Sequence, residues 1–305
     1  MNEKAFISFV FYLKDDFKNI SKLLSNLKDY YLKFNGAYEI ILVDDSSNEE
    51  YSKQVTDFAK KEGLNIILIR LAWDHGLERA MQSGVDLAIG DFIVEVDYPY
   101  IGITDELLSK LFDTSAKGFD VVSVVNKSGS NFSKLFYKIL KRYSDLNFEV
   151  KSEVVRIVSR RVVNNSYSNS SPFYYRKIKY RSTGYPYKYI LINEKGTQGP
   201  KQSILYRIKM AINLLFTFTN IPLIFSAVLS LLFMLVSISV AVYAISIYVM
   251  FETVVEGWTT TMLFLSFGLG GLFLIIALIL KYLNMILTFH LHNSAYVPQY
   301  IKRMV

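Results

Sequence analysis

From Ile221 to Met250 the chain carries no Asp, Glu, Lys or Arg, and the same holds from Gly257 to Leu280. A helix of roughly 20 apolar residues crosses the core of a bilayer. Charge-free runs of this length are rare in the helices of soluble cores, so the two stretches predict two transmembrane helices. They divide the 305 residues into a domain over 1–200, a connecting segment over 201–220, and a membrane part over 221–305 that ends in a short tail. The loop between the spans holds Glu252 and Glu256 but no Lys or Arg. Lys201, Arg207 and Lys209 precede the first span, and Lys281, Lys302 and Arg303 follow the second. Cationic flanks stay on the cytoplasmic side. The domain and both termini are therefore expected at the cytoplasmic face of a bacterial inner membrane. Tyr206 to Phe218 reads as an interfacial amphipathic helix or as the start of a longer first span. Lys14, Asp15 and Asp16 follow the first short apolar run, so no cleaved secretory signal is expected.

The first 200 residues follow another rule. Apolar runs of strand length alternate with segments of helical period: Ala5–Leu13, a helix over Asn19–Phe34, Ile40–Val43, a helix over Asn48–Glu62, Asn65–Leu71, a helix from Asp74 to about Leu87, and Phe92–Val96. Short links between such elements are the mark of a doubly wound parallel sheet. Further on, a helix is expected over Thr104–Ala116, strands over Phe119–Val125 and Glu153–Ser159, and a basic helix over Phe132–Tyr143. Asn164–Ser171 reads as loop or helix start. Three strand ends carry acids: Asp15 with Asp16, Asp44 with Asp45, and Asp97. Ligands of such sheets sit beyond the carboxyl ends of the strands, so these acids are candidates for one crevice. Each also has a plainer reading as a helix cap.

Composition narrows the chemistry. The chain has no cysteine, which removes disulfides and thiolate metal sites. Its three histidines, His75, His290 and His292, are too scattered for a metal site, and His75 reads as a turn residue capping a helix. The net charge is +7, but the cations near the apolar runs suit anionic lipid, and no nucleic-acid partner is expected.

Three blocks in order, Glu39–Ser47, His75-Gly76-Leu77-Glu78-Arg79-Ala80 with Gly84, and Gly90–Asp97, resemble the inverting family-two glycosyltransferases of GT-A fold. With the two spans and the closing Pro298-Gln299-Tyr300-Ile301, the chain is similar to the polyprenyl-phosphate branch, which includes dolichol-phosphate mannosyltransferase and bactoprenol glucosyltransferases. The resemblance implies an α/β fold, a GT-A Rossmann-like and mostly parallel sheet followed by two transmembrane helices. It implies a nucleotide-sugar donor, a polyprenyl phosphate acceptor and Mg²⁺ or Mn²⁺. By matching position, Asp45 would meet the base or ribose, with Asp16 near the base. Asp97 would be the first acid of a D-x-D motif, serving donor and metal. Arg156, in Val154-Val155-Arg156-Ile157-Val158-Ser159-Arg160-Arg161, would serve the reaction and the lipid phosphate, and Lys201 would be a second phosphate contact.

The pattern is incomplete. Pro99 stands where D-x-D has its second acid, and Val154 where the branch has a donor-site Asp. Glu95, Glu153 and Asp105 remain as substitute carboxylates; a Glu inside a strand pairs with a cation or faces the crevice. Arg156, Arg160 and Arg161 also read as a solvated basic face or headgroup contacts, and Lys201 as an interface anchor. Two functions follow. One is transfer of a sugar to polyprenyl phosphate at the cytoplasmic leaflet. The other is a degenerate relative that keeps fold and anchor and serves as a nucleotide- or lipid-binding scaffold, or as partner to an envelope enzyme or flippase. A processive synthase is not expected, because the Q-x-x-R-W element is missing and two spans are too few to build a channel. Gly268-Leu269-Gly270-Gly271 permits close helix contact, so a homo-oligomer stays open.

Overall fold

The computed structural model describes residues 5–15, 17–33, 37–97, 103–126, 150–151, 153–168, 175–192, 221–250, 257–291 and 296–304, with 138, 141–142, 148, 212 and 219 besides; at some helical positions it describes the backbone alone. Asp16, Pro99 and Lys201 lie outside the described residues, as do most of the helices expected over Phe132–Tyr143 and Tyr206–Phe218. The chain forms two compact units, 1–137 with 148–202 and 294–305, and 138–147 with 203–293.

The first unit is built on an eight-stranded sheet: β1 (Ile7–Leu13), β2 (Tyr38–Asp44), β3 (Ile66–Leu71), β4 (Phe92–Val96), β5 (Val121–Asn126), β6 (Glu153–Ser159), β7 (Tyr187–Ile192) and β8 (Pro298–Met304). Their order across the sheet is β7-β5-β6-β4-β1-β2-β3-β8. β3, β2, β1 and β4 run parallel, so their carboxyl ends share one edge. β6 lies antiparallel between β4 and β5, and β5 pairs parallel with β7. The sheet is thus the mixed, mostly parallel one expected. The parallel strands are buried on both faces, which explains their near-continuous apolar sequences.

Helices α1 (Phe17–Lys33), α2 (Glu49–Glu62), α3 (Leu77–Leu87) and α4 (Asp105–Ala116) follow the first four strands. Two core clusters flank the sheet. One gathers Phe9, Phe11, Leu42, Val94 and Val96 with Leu23, Leu24 and Leu108; the other gathers Val10, Ile41, Val43 and Ile93 with Ala80, Met81 and Val85. Gly84 is required in α3. A Cβ there would come within 2.8 Å of Val43 Cγ2 and closer still to Val10 Cγ1, so the helix could not sit on the sheet. Caps fall elsewhere than the strand-end acids: Asn48 caps α2 through Glu50 N, and Thr104 caps α4 through Leu107 N.

Two elements depart from the sequence reading. Residues 164–168 belong to helix α5 (Arg160–Ser168), which precedes the short α6 (Arg176–Arg181). The tail after the second apolar run is no free tail: Pro298–Met304 is β8, an antiparallel edge strand on β3. The second unit contains α7 (Ile221–Met250) and α8 (Trp258–Leu291), of 30 and 34 residues. They pack at Gly271, where a Cβ would lie 2.7 Å from Phe233 Cδ2. Counting described residues alone, no helix is long and apolar enough to cross a membrane. The sequence of α7 holds no charge.

Candidate active site

The carboxyl edge of the parallel strands carries two polar clusters whose described bonds share no residue. The first ties together the loops after β1, β2 and β3. Asp45 is fully buried. Its Oδ1 accepts from the His75 N–H at 2.8 Å, and its Oδ2 accepts from the Gly76 N–H and the Tyr12 hydroxyl, each at 3.0 Å. Lys14 Nζ donates to the Asp45 carbonyl and lies 3.2 Å from Asp74 Oδ2. Asp15, with φ of 47°, accepts from Asn48 N–H and donates its own N–H to Ser47 Oγ. Asp44 accepts from Ser47 N–H and from the Ser52 hydroxyl, with Arg70 Nη1 at 3.6 Å. Burial raises the Asp45 carboxyl above its ordinary range; the His75 N–H works against this, and the Asp74 charge adds to it.

His75 does not cap α3, whose N-cap is Gly76 without a side-chain bond. Its ring stacks on Trp73, its Nδ1 lies 2.6 Å from the Trp73 carbonyl, and its Nε2 accepts from Val297 N–H at 3.1 Å. These bonds suit a neutral ring with the proton on Nδ1. The imidazole therefore fastens the β3–α3 loop to the chain entering β8.

The second cluster lies where β4 meets β6. Alternation along β4 puts Ile93, Glu95 and Asp97 on one face, and the antiparallel register sets Arg156 opposite Glu95 and Ser123 opposite Arg156. The first residue of α6 adds Arg176. Both guanidiniums are wholly buried. Arg156 donates to Asp97 Oδ2 at 2.5 Å and to Glu95 Oε2 at 3.1 Å. Arg176 donates to Asp97 Oδ1 at 2.7 Å, to Glu95 Oε2, and through Nε to Glu78 Oε2 at 3.1 Å. Tyr180 donates to Glu95 Oε1 at 2.5 Å; Ser123 and Tyr187 donate to the two oxygens of Glu153. Arg156 Nε points toward Glu153 Oε2 at 3.4 Å without forming a hydrogen bond. Burial alone would raise Asp97, but Arg156, Arg176 and Lys177 outweigh it and hold the carboxyl at about 2. Burial likewise opposes the charges on Arg156 and Arg176, and their carboxylate neighbours overcome it, keeping both protonated.

The structure thus places Asp45 and Asp97 at the expected edge, each enclosed by partners. It directs Arg156 inward onto carboxylates, with no surface toward a lipid phosphate. Glu95 pairs with cations. The neighbouring arginines are each tied to a partner, Arg161 from a solvated position. Arg160 donates to the Gly90 and Ala88 carbonyls, and Arg161 clasps Asp120 through two bonds. Sequence reasoning missed Arg176 and Tyr180; the signal was Glu95, a strand acid that needed cations from somewhere.

These residues do not fit a divalent metal. Such an ion takes unencumbered carboxylate oxygens. Both oxygens of Asp97 and Oε2 of Glu95 already face guanidiniums, and Glu153 is spent on hydroxyls. Among the described residues no group of three His, Asp or Glu side chains is arranged to hold a metal.

A mostly parallel sheet with acids at its carboxyl edge, extended by the antiparallel β6, defines a GT-A-like α/β protein. The model of the family described as Glycosyl transferase family 2 matches residues 10–189. The chain belongs to that family and is a glycosyltransferase. An uncharacterized glycosyltransferase of Synechocystis sp. is 25% identical over 278 residues, covering 88% of this chain and 86% of that one. An undecaprenyl-phosphate 4-deoxy-4-formamido-L-arabinose transferase of Klebsiella pneumoniae is 30% identical over 107 residues, only 34% of this chain and 32% of that one. Among solved structures, glucosyl-3-phosphoglycerate synthase from Mycobacterium tuberculosis, in complex with Mn²⁺, UDP and phosphoglyceric acid, superposes with a TM-score of 0.52 at 14% identity, over 70% of this chain and 77% of that one. At that identity the likeness concerns the fold alone.

Proposed function

We propose that this glycosyltransferase moves a sugar from a nucleotide-sugar donor to a polyprenyl phosphate at the cytoplasmic face of a bacterial membrane. The observation that carries the reading is one chain joining a family-two domain to α7, 30 residues without a charge, and α8 beyond it. At 1.5 Å per residue, a helix like α7 exceeds the thickness of a bilayer core. The apolar side chains of α7 are exposed at Phe225, Val228, Leu232 and Leu235, a pattern that lipid would cover. The Klebsiella relative is named for transfer involving undecaprenyl phosphate, which supports this acceptor class. A lipid phosphate oxygen is already anionic at neutral pH, so no strong general base is required. The nucleoside would lie along the loops of Lys14, Asp45 and Asp74 with Asp16 beside them, and the diphosphate nearer the cluster of Asp97, Arg156 and Arg176. Lys201 would meet phosphate at the membrane.

The enclosure of Asp97 by two guanidiniums and of Asp45 by three donors favours a second reading, a member that binds without transfer. The test is incubation of detergent-purified full-length protein with UDP-, GDP- and dTDP-sugars and undecaprenyl phosphate, followed by extraction of lipid-linked sugar. Transfer from one donor, abolished in Asp97→Ala, is expected. Donor binding without any transfer would replace the enzyme reading with the second.

A further inference from the structure

We infer that this chain recognises its nucleoside-diphosphate donor without a divalent metal, because the Arg156 and Arg176 guanidiniums stand beside Asp97 where a metal ion would otherwise sit. The donor half of the inference rests on the transfer reading above; the lack of a metal site at Asp97 stands independently of it.

Charge comes first. Glu78, Glu95, Asp97 and Glu153 face Arg156, Arg176 and Lys177, whose Nζ also reaches the Glu153 carbonyl at 3.3 Å. Each of the four acids already forms an ion pair with a guanidinium, which takes the place a metal ion would need beside the carboxylates. Placement is the second element. Arg156 is fixed by strand register opposite Glu95, and Arg176 opens α6, so both cations are delivered by the fold itself. Substitution is the third. The carboxylates left to replace the missing second acid are spent: Glu95 on both guanidiniums and Tyr180, Glu153 on Ser123 and Tyr187. Asp105 is an exposed residue in the first turn of α4.

The experiment uses the full chain in detergent, stripped with EDTA and desalted. Mn²⁺ is titrated while electron paramagnetic resonance follows the free ion, and donor binding is measured calorimetrically with Mn²⁺ and with EDTA. The free-ion signal is expected to match protein-free buffer, and the donor Kd to agree within about twofold between the two buffers. Arg176→Ala is expected to gain a Mn²⁺ site that disappears when combined with Asp97→Asn, whereas Arg176→Lys gains none. Should Arg176→Ala fail to fold, the wild-type titration still decides. One equivalent of Mn²⁺ on the wild-type chain, lost in Asp97→Asn, would overturn the inference. Absence of donor binding in both buffers, with Mn²⁺ also unbound, would sink the transfer reading while supporting the lack of a metal site.

Discussion

At the end of β2, Asp45 is buried among N–H and O–H donors; at the end of β4, Asp97 is buried between two guanidiniums. Both carboxylates are removed from water, and both have their oxygens bonded. Their titration nevertheless goes in opposite directions. Burial dominates at Asp45 and raises it, while at Asp97 the paired cations win and hold it at about 2. At Asp45 the hydrogen bonds favour the ion but do not make up for the hydration lost on burial, whereas at Asp97 the neighbouring cations do. The first site therefore has a carboxylate that is held in place and easily protonated. The second has a rigid ion network, whose value to stability depends on all its members being present.

The largest expected effect is at Arg156. Arg156→Leu leaves Glu95, Asp97 and Glu153 short of a cation in a fully buried site, and breaking such a network costs about 3–5 kcal/mol. Arg70→Leu at the other end should cost less, because Arg70 is partly exposed and stands 3.6 Å from Asp44. Thermal melting of both variants in the same detergent checks this. Equal losses would remove the distinction between the two ends.

Asp45→Ala comes next. It strands the His75 and Gly76 N–H groups and the Tyr12 hydroxyl, and an unsatisfied buried donor costs about 1–3 kcal/mol. Because those donors hold the β3–α3 loop, proteolysis around Trp73 should accelerate in this variant. A melting point equal to wild type would mean that water replaces the carboxylate at no cost.

The pH dependence separates the two acids directly. Asp97 has a folded pKa of about 2 against an ordinary 3.8, so its contribution is complete above about 4 and is lost as pH falls from there toward 2. It is on the order of 2 kcal/mol. Asp45 is raised, so its ionisation opposes folding above its folded pKa, and that opposition disappears as pH falls through it toward 3.8. Melting temperature against pH should therefore fall less steeply between 4 and 2 in Asp97→Asn than in wild type. A slope that does not change would mean Asp97 does not carry the acid transition.

How much of this was legible beforehand follows from where the information lies in the chain. β1 to β4 and the helices between them announce themselves, because a strand buried on both faces must be apolar and a helix on a sheet must repeat at its own period. β8 does not. Its outer positions are exposed, so Pro298–Met304 reads like a charged tail, and only the vacant edge of β3 makes it a strand. The site was half visible. Asp45 and Asp97 are marked by ending apolar runs, and Glu95 by being an acid within one. Arg176 sits in Arg-Lys-Ile-Lys-Tyr-Arg, a segment that suggests a solvated basic helix. Its partner Glu95 is 81 positions away, a pairing that local pattern cannot show.

Arg161 should matter least. Arg161 follows the β6 strand that carries Arg156, and it too forms two bonds to one carboxylate, that of Asp120. Its side chain is 63% exposed, however, and solvent screens such an ion pair so that it adds little to stability. Asp120 also keeps the Ser159 hydroxyl at 2.7 Å when the arginine is removed. Arg161→Ala should therefore change the melting temperature only slightly, and that change should shrink in high salt, which the Arg156→Leu loss should not. A large, salt-insensitive loss at Arg161 would show that bidentate geometry, rather than burial of the pair, sets the cost of removing a cation from this sheet.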